Sequence, residues 1–366
     1  MSARWKRCGD RASVVAVARD FPGFVWRSAA AVLVLLWGVG CGGCSPAYVL
    51  QGAVQQARIL ASREPIEEVL ATGSLSPQQR SKIEIVPEVR RYATDVLGFD
   101  VGGAYSDFAE VPPGALVWVV SASEKTRLQA RTWWFPIVGA VPYKGFFEED
   151  EARALAAELG REGLDTWVRP TQAFSTLGWF DDPVLSSWLD RDRVQLADLV
   201  LHELMHRDVW IEDHAPFNES LATFVAAQAT IDFFERRGAA DEAAAARQAW
   251  QETLAASRRW GSNVAELQAV YAAGERGEIS GDEILRQREV IFQRIDPKGR
   301  VNNALILGRW DYLRDLDRFA CAFGSTKADL RVALDRVAAG ARESEDPFAS
   351  LGPCEAGRTT PDAADQ

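Results

Sequence analysis

The sequence predicts an α+β fold: a small antiparallel sheet packed on one central helix, followed by a largely helical C-terminal part. Two patterns carry this. Between about residues 100 and 190 the apolar residues fall in short β-branched and aromatic runs broken by proline and glycine. From Arg191 to about residue 340 they recur at spacings of three and four with few breakers. Composition agrees, since 47% of the 366 residues are hydrophobic and 25% charged, enough apolar material for a sizeable core.

The elements follow in order. Residues 47–70 and 79–97 have helical periodicity. Residues 115–122 (ALVWVVSA) read as a strand. The stretch 129–147, broken by Pro136, Gly139, Pro142 and Gly145, reads as strand, turn, strand. Residues 148–162 open on acidic side chains, which a helix N-terminus favours. Strand and loop are expected over 165–181, then helices over 193–210, 217–236, 239–275, 281–295, 302–323 and 326–340. The segment 345–366 is polar, contains Pro347, Pro353 and Pro361, and is expected to be a disordered tail. No internal repeat is visible.

The first 43 residues read as a leader. Ser28–Gly40 is a run of thirteen apolar or small residues preceded by Arg27, too short to span a bilayer but of signal-peptide length. Cys41 follows Gly40 and Cys44 follows Gly43, the small-residue–cysteine arrangement of a lipidation site. Cys44 is preferred, because Ser45-Pro46 opens a more polar stretch. A start nearer Val25 would account for the long charged stretch ahead of the apolar run. These features imply an N-terminal lipid anchor as the link to the membrane. Neither Gly42 nor Ser45 is the aspartate that retains such proteins at the inner membrane, so the expected location is the outer membrane, facing the periplasm. Residues 44–344 form the expected domain, with the sheet-containing part over about 100–190 and the helical part over about 191–340. In an oxidising compartment Cys321 and Cys354 could pair.

Charge excludes one class of partner. The formal net charge is −11, and the leader holds six basic and two acidic groups, so the remainder is more acidic still. Such a surface repels phosphate backbones, and nucleic acid is not expected to bind.

The chemistry concentrates at one point. The chain has three histidines, His202, His206 and His214, all within thirteen consecutive positions. Two of them form His202-Glu203-Leu204-Met205-His206 in an apolar periodic stretch. Residues i and i+4 stand one above the other on a helix, so both imidazoles can reach one metal ion. Glu203 points partly aside, where it can accept a proton from water. Zinc needs a third protein ligand. Glu219, thirteen residues after His206 and near the start of the next helix, can face the first helix across a hairpin whose loop contains Asp213 and Pro216. His214 is the rival, but the His-x-x-Gly-x-x-His spacing it would need is absent, and Glu219 is preferred.

The Asn218-Glu219 pair resembles the third-ligand segment of thermolysin-like gluzincins. There an aspartate four residues after the ligand glutamate orients a ligand histidine; here that position is Thr223. Further stretches extend the likeness: Pro142–Phe147, Ser175–Pro183, His202–His206, Phe217–Phe224 and Asn302–Ala304. With the cysteines near the start they resemble a family of bacterial lipoproteins described as zinc aminopeptidases, from about Cys44 to about residue 340. The resemblance implies a zincin-like fold, a zinc ion, a peptide substrate and periplasmic peptide hydrolysis. A Gly-x-Met-Glu-Asn amine-binding motif is absent. By the same resemblance Phe174–Trp179 is the candidate strand for aligning a substrate. Tyr312, then Tyr143, are the candidate donors to a developing oxyanion. The other function class considered is a non-catalytic zinc-binding envelope lipoprotein that binds partner proteins or peptides.

Overall fold

The computed structural model describes residues 52–354 apart from 53, 55–56, 74, 113, 115–116, 136–138, 172–180 and 325–329. The leader, with Cys41 and Cys44, and the candidate substrate strand Phe174–Trp179 lie outside the described residues. Among the described residues, no helix is long and apolar enough to cross a membrane.

The first expected helix is interrupted by a strand. Arg63–Pro65 (β1) is extended, and α1 covers only Ile66–Thr72. Pro65 explains the break, because the residue before a proline is driven out of the helical region. The second expected helix divides at Glu84 into α2, Pro77–Ile83, and α3, Ile85–Asp95. A capping box between Ser76 and Gln79 starts α2, and Pro87 falls in the first turn of α3, where no amide is required. Strand β2 (Asp107–Ala109) pairs antiparallel with β1 and parallel with Val184–Leu185, the last strand among the described residues.

Strand β3 (Val117–Ser123) is the centre of the antiparallel sheet. Two short strands follow as a hairpin, β4 (Trp133–Phe135) with β5 (Gly139–Val141). Strand β6 (Lys144–Phe146) and, after helix α4 (Glu149–Arg161), strand β7 (Asp165–Thr171) flank β3 on either side. The register sorts the two faces. Trp118, Val120 and Val168 share one face and join Ala152, Ala156 and Leu159 of α4 in a small apolar core. The opposite face carries Ser121, Trp167 and Arg169. Strand β8 is Val184–Leu185.

Helices fill the rest: α5 (Arg193–Asp208), α6 (Ala215–Arg236), α7 (Ala240–Glu275), α8 (Gly281–Ile295), α9 (Asn303–Leu313), α10 (Leu316–Phe323) and α11 (Leu330–Arg342). The expected helix 302–323 is broken after Leu313, where Asp315 turns left-handed at φ 55°. The expectation of a sheet packed on the histidine-bearing helix is corrected. The sheet packs mainly on α4 and α9, whereas α5 packs mainly on α3 and α6. The reason is composition: α5 buries Leu196, Ala197, Val200, Leu201, Leu204 and Met205, too broad an apolar girdle for one small sheet to cover. The large core surrounds α5 and α6.

The expected disordered tail starts too early. Phe348 and Leu351 are buried, and Phe348 meets the rings of Phe217 and Phe319 at 5.2 and 6.2 Å. Cys354 forms a disulfide with Cys321 of α10. These apolar side chains outweigh the polar average of the segment.

One buried polar junction holds α8, α9 and the sheet together. Arg288 of α8 donates to Asp165 at 2.8 and 3.2 Å, and both side chains are almost enclosed. The Asn303 backbone amide also donates to Asp165 (3.1 Å), its side-chain amide donates to the Glu124 carbonyl (2.8 Å), and its Oδ1 accepts from the Tyr271 hydroxyl (2.7 Å). Asn302 caps α9 and donates to Thr166 O at 2.8 Å. These bonds give the Asn302-Asn303 pair a structural role. Breaking one partner of such a pair strands the other charge. Arg288→Ala should therefore cost about 3–5 kcal/mol of stability in urea unfolding. An unchanged midpoint would rule the junction out as a determinant of stability.

Candidate metal centre

Helix α5 starts at a capping box in which Asp192 accepts from the Gln195 amide (2.8 Å) and Gln195 accepts from the Asp192 amide (3.2 Å). About two and a half and three and a half turns later the helix presents His202 and His206 toward α6. The connecting loop turns at Asp213, left-handed at φ 62°, and His214 takes the N-cap position of α6. Asn218 fixes that loop: the Ile211 amide donates to its Oδ1 (2.9 Å) and its Nδ2 donates to the Ile211 carbonyl (2.8 Å), all buried. The loop is thereby tied back onto the first turn of α6, and Glu219 faces α5.

The result is a triangle of ligand atoms. His206 Nε2 is 3.1 Å from His202 Nε2, Glu219 Oε2 is 3.3 Å from His202 Nε2, and it is 3.5 Å from His206 Nε2. Ligands arranged tetrahedrally at the usual zinc distances of about 2.0–2.1 Å lie about 3.3–3.4 Å apart. The three atoms thus already have the edge lengths of a four-coordinate site with one position left over. Among the described residues they form the group able to hold a metal ion. His214 is not in it.

The electrostatics favour a cation at this point. Burial would lower the His202 pKa, but the hydrogen bond and charge of Glu219 outweigh it and the net shift is upward. Burial would raise Glu219, but the two imidazoles hold it well below the usual carboxylate range. Both shifts reflect a position that prefers positive charge, which a divalent ion would supply.

Two neighbouring groups support His202. The Tyr312 ring stacks on its imidazole, centroids 6.1 Å apart. Asp198, one turn earlier on α5, contributes a negative field to it. Burial lifts Asp198 to about 6, partly offset by His202 and by a long 3.5 Å hydrogen bond from Thr230. Asp198 acts on His202 through its charge, with no hydrogen bond between the two among the described residues. Sequence reasoning missed it, although a carboxylate four residues before the first ligand on an otherwise apolar helix was a usable signal. Trp210 meets the edge of His206 at 5.7 Å.

The candidate catalytic residues surround this point. Glu203 is half-buried, its charge is felt by His202, Tyr143 and Tyr312, and it has no hydrogen bond or ion pair among the described residues. Tyr143, in the turn between β5 and β6, and Tyr312, near the end of α9, line one cleft with Glu219, Arg169 and Asp311. Both phenols are pushed upward, Tyr143 by loss of water contact and then by Glu219, Tyr312 by Glu219 first and burial second. Both are therefore protonated donors near neutral pH. Burial followed by the Glu219 charge lifts Asp311 to about 7. Helix α9 comes this close because Gly308 lies against Trp167; a Cβ there would stand 2.7 Å from the indole.

Comparison with known proteins gives one match. The family model Aminopep, whose description reads "Putative aminopeptidase", matches residues 47–345. No curated protein and no solved structure matches the chain.

Elemental analysis of the purified protein should find one divalent ion per chain. Alanine at His202, His206 or Glu219 should remove it, whereas His214→Ala should retain it. Asn218→Ala should weaken metal affinity by about 10- to 100-fold in a competition titration, the usual effect of losing a group that orients a ligand. Full affinity in that variant would mean that the loop clamp does not position Glu219.

Proposed function

We propose that this chain, which belongs to the Aminopep family, hydrolyses peptide bonds, with a zinc ion held by His202, His206 and Glu219 and with Glu203 as general base. The observation that carries the reading is the 3.1–3.5 Å triangle of two imidazole nitrogens and one carboxylate oxygen beside a glutamate that has no partner among the described residues. Two nitrogens, one oxygen and an open fourth position are the donor set of a hydrolytic zinc site.

Zinc bound there would acidify a water and polarise the scissile carbonyl. Glu203 accepts the proton of the attacking water and delivers it to the leaving amine. Tyr312 and Tyr143 donate hydrogen bonds to the carbonyl oxygen as negative charge builds on it. Asp198 keeps His202 oriented through its charge. The non-catalytic alternative is disfavoured by Glu203, since a purely structural site has no use for an unpaired carboxylate at that position.

The proposed setting is the cell envelope, with a lipid anchor at Cys44 or Cys41 and periplasmic peptides as substrates. The Cys321–Cys354 disulfide supports an oxidising compartment. Metabolic labelling with a fatty-acid probe should mark the wild type and fail when both Cys41 and Cys44 are serine. Label that persists in the double variant would refute the anchor.

Glu203→Gln keeps shape and hydrogen bonding but removes proton acceptance. Zinc content should stay normal while chelator-sensitive cleavage of a peptide library falls by about 10²–10⁴-fold. A variant that holds zinc and cleaves at the wild-type rate would falsify the general-base role.

A further inference from the structure

We infer that Asp311 recognises the α-ammonium group of the substrate and so restricts this cleft to peptides with a free N-terminus. The inference rests on the metallopeptidase reading of the site and goes beyond it by naming the group that sets substrate class.

An enzyme that removes the first residue of a peptide must hold an ammonium close to its metal. The nitrogen and the carbonyl carbon of one residue are about 2.5 Å apart by covalent geometry. The anchoring anion must therefore line the same cleft as the metal ligands. Among the described residues two carboxylates do, Glu219 and Asp311. Glu219 belongs to the ligand triangle, and Glu203, whose charge also reaches Tyr143 and Tyr312, is the proposed general base, which leaves Asp311.

Its position is fixed relative to the ligand. Ser220, the residue after Glu219, donates from Oγ to the Asp311 carbonyl at 2.7 Å and accepts from the Arg314 amide at 3.1 Å. The end of α9 is thus bonded directly to the turn of α6 that bears Glu219.

The Asp311 carboxylate has no hydrogen bond or ion pair among the described residues, although Arg169 and Arg314 are near enough for their charges to act on it. Both cations are engaged elsewhere. Arg169 lies over the Trp167 ring at 5.5 Å, and Arg314 over Phe348 at 3.9 Å with Asp315 at 3.8 Å. A partly buried carboxylate without a close cation is costly, and a substrate ammonium would relieve it on binding. Beyond Asp311 the cleft is lined by Ala122, Ala130, Ala304 and Leu307, which suits a small or apolar first side chain.

The test is a calorimetric titration of the metal-loaded protein with leucine hydroxamate and with its N-acetyl derivative. Their common chelating group meets the metal, and they differ in the ammonium alone. The wild type should bind the free amine about tenfold or more tightly, the worth of one charge-assisted hydrogen bond. Asp311→Asn should keep its metal, keep affinity for the acetylated probe and lose the preference. Equal binding of the two probes by the wild type overturns the inference whatever the variant does, and so does a preference that survives in metal-loaded Asp311→Asn. Cleavage of Leu-Gly-Gly, its N-acetyl form and its C-terminal amide separates the remaining readings. Metal-dependent cleavage of free and acetylated peptides alike overturns the Asp311 assignment but leaves the peptidase. Loss of cleavage on amidation, with acetylation tolerated, assigns recognition to Arg169 and the substrate carboxylate instead. Amine-selective probe binding without cleavage of any peptide supports the Asp311 site and overturns the hydrolase reading.

Discussion

The site depends on how closely two antiparallel helices approach. A carboxylate on α6 must reach two imidazoles on α5, and the loop between them has only the residues from Val209 to His214 in which to turn. Three consecutive residues solve this. Asn218 points back and ties the loop at Ile211, Glu219 points across to the histidines, and Ser220 points out to the end of α9. The apolar packing of α5 and α6 sets the distance, and these polar contacts set the register.

The same arrangement concentrates negative charge. Glu203, Glu219, Asp198 and Asp311 act on one small region, against two imidazoles and two arginines turned to aromatic rings. Burial together with that charge raises Tyr143, Tyr312 and Asp311, and the cluster favours a divalent ion at its centre.

Helix α9 connects this centre to the rest of the molecule. Its start is anchored by Asn302 and Asn303 to the Asp165–Arg288 pair, its middle rests on Trp167 at Gly308, and its end carries Asp311 and Tyr312 into the cleft. A buried ionic junction is weak evidence for stability in itself, but this one links three elements distant in the chain. It gives the cleft one wall built on the sheet and another built on the helical core.

Much of this was readable in order along the chain. The helices from α5 onward were marked by apolar spacing, and the candidate ligand set by the His202–His206 interval and Glu219, because i and i+4 neighbours are a property of any helix. Local chemistry misled only where breakers competed with periodicity, at Pro65, Glu84 and Asp315, and where a few apolar side chains in a polar tail decided its packing. By itself, then, the sequence determined the metal-binding pattern and the helical framework that presents it. Tertiary structure alone decided that the sheet packs on α4 and α9, that Cys321 meets Cys354, and that Asp311 opens into the cleft. Those outcomes join residues up to about 180 positions apart, and no local spacing encodes which distant surfaces meet; that is set by the competition among all apolar faces for burial.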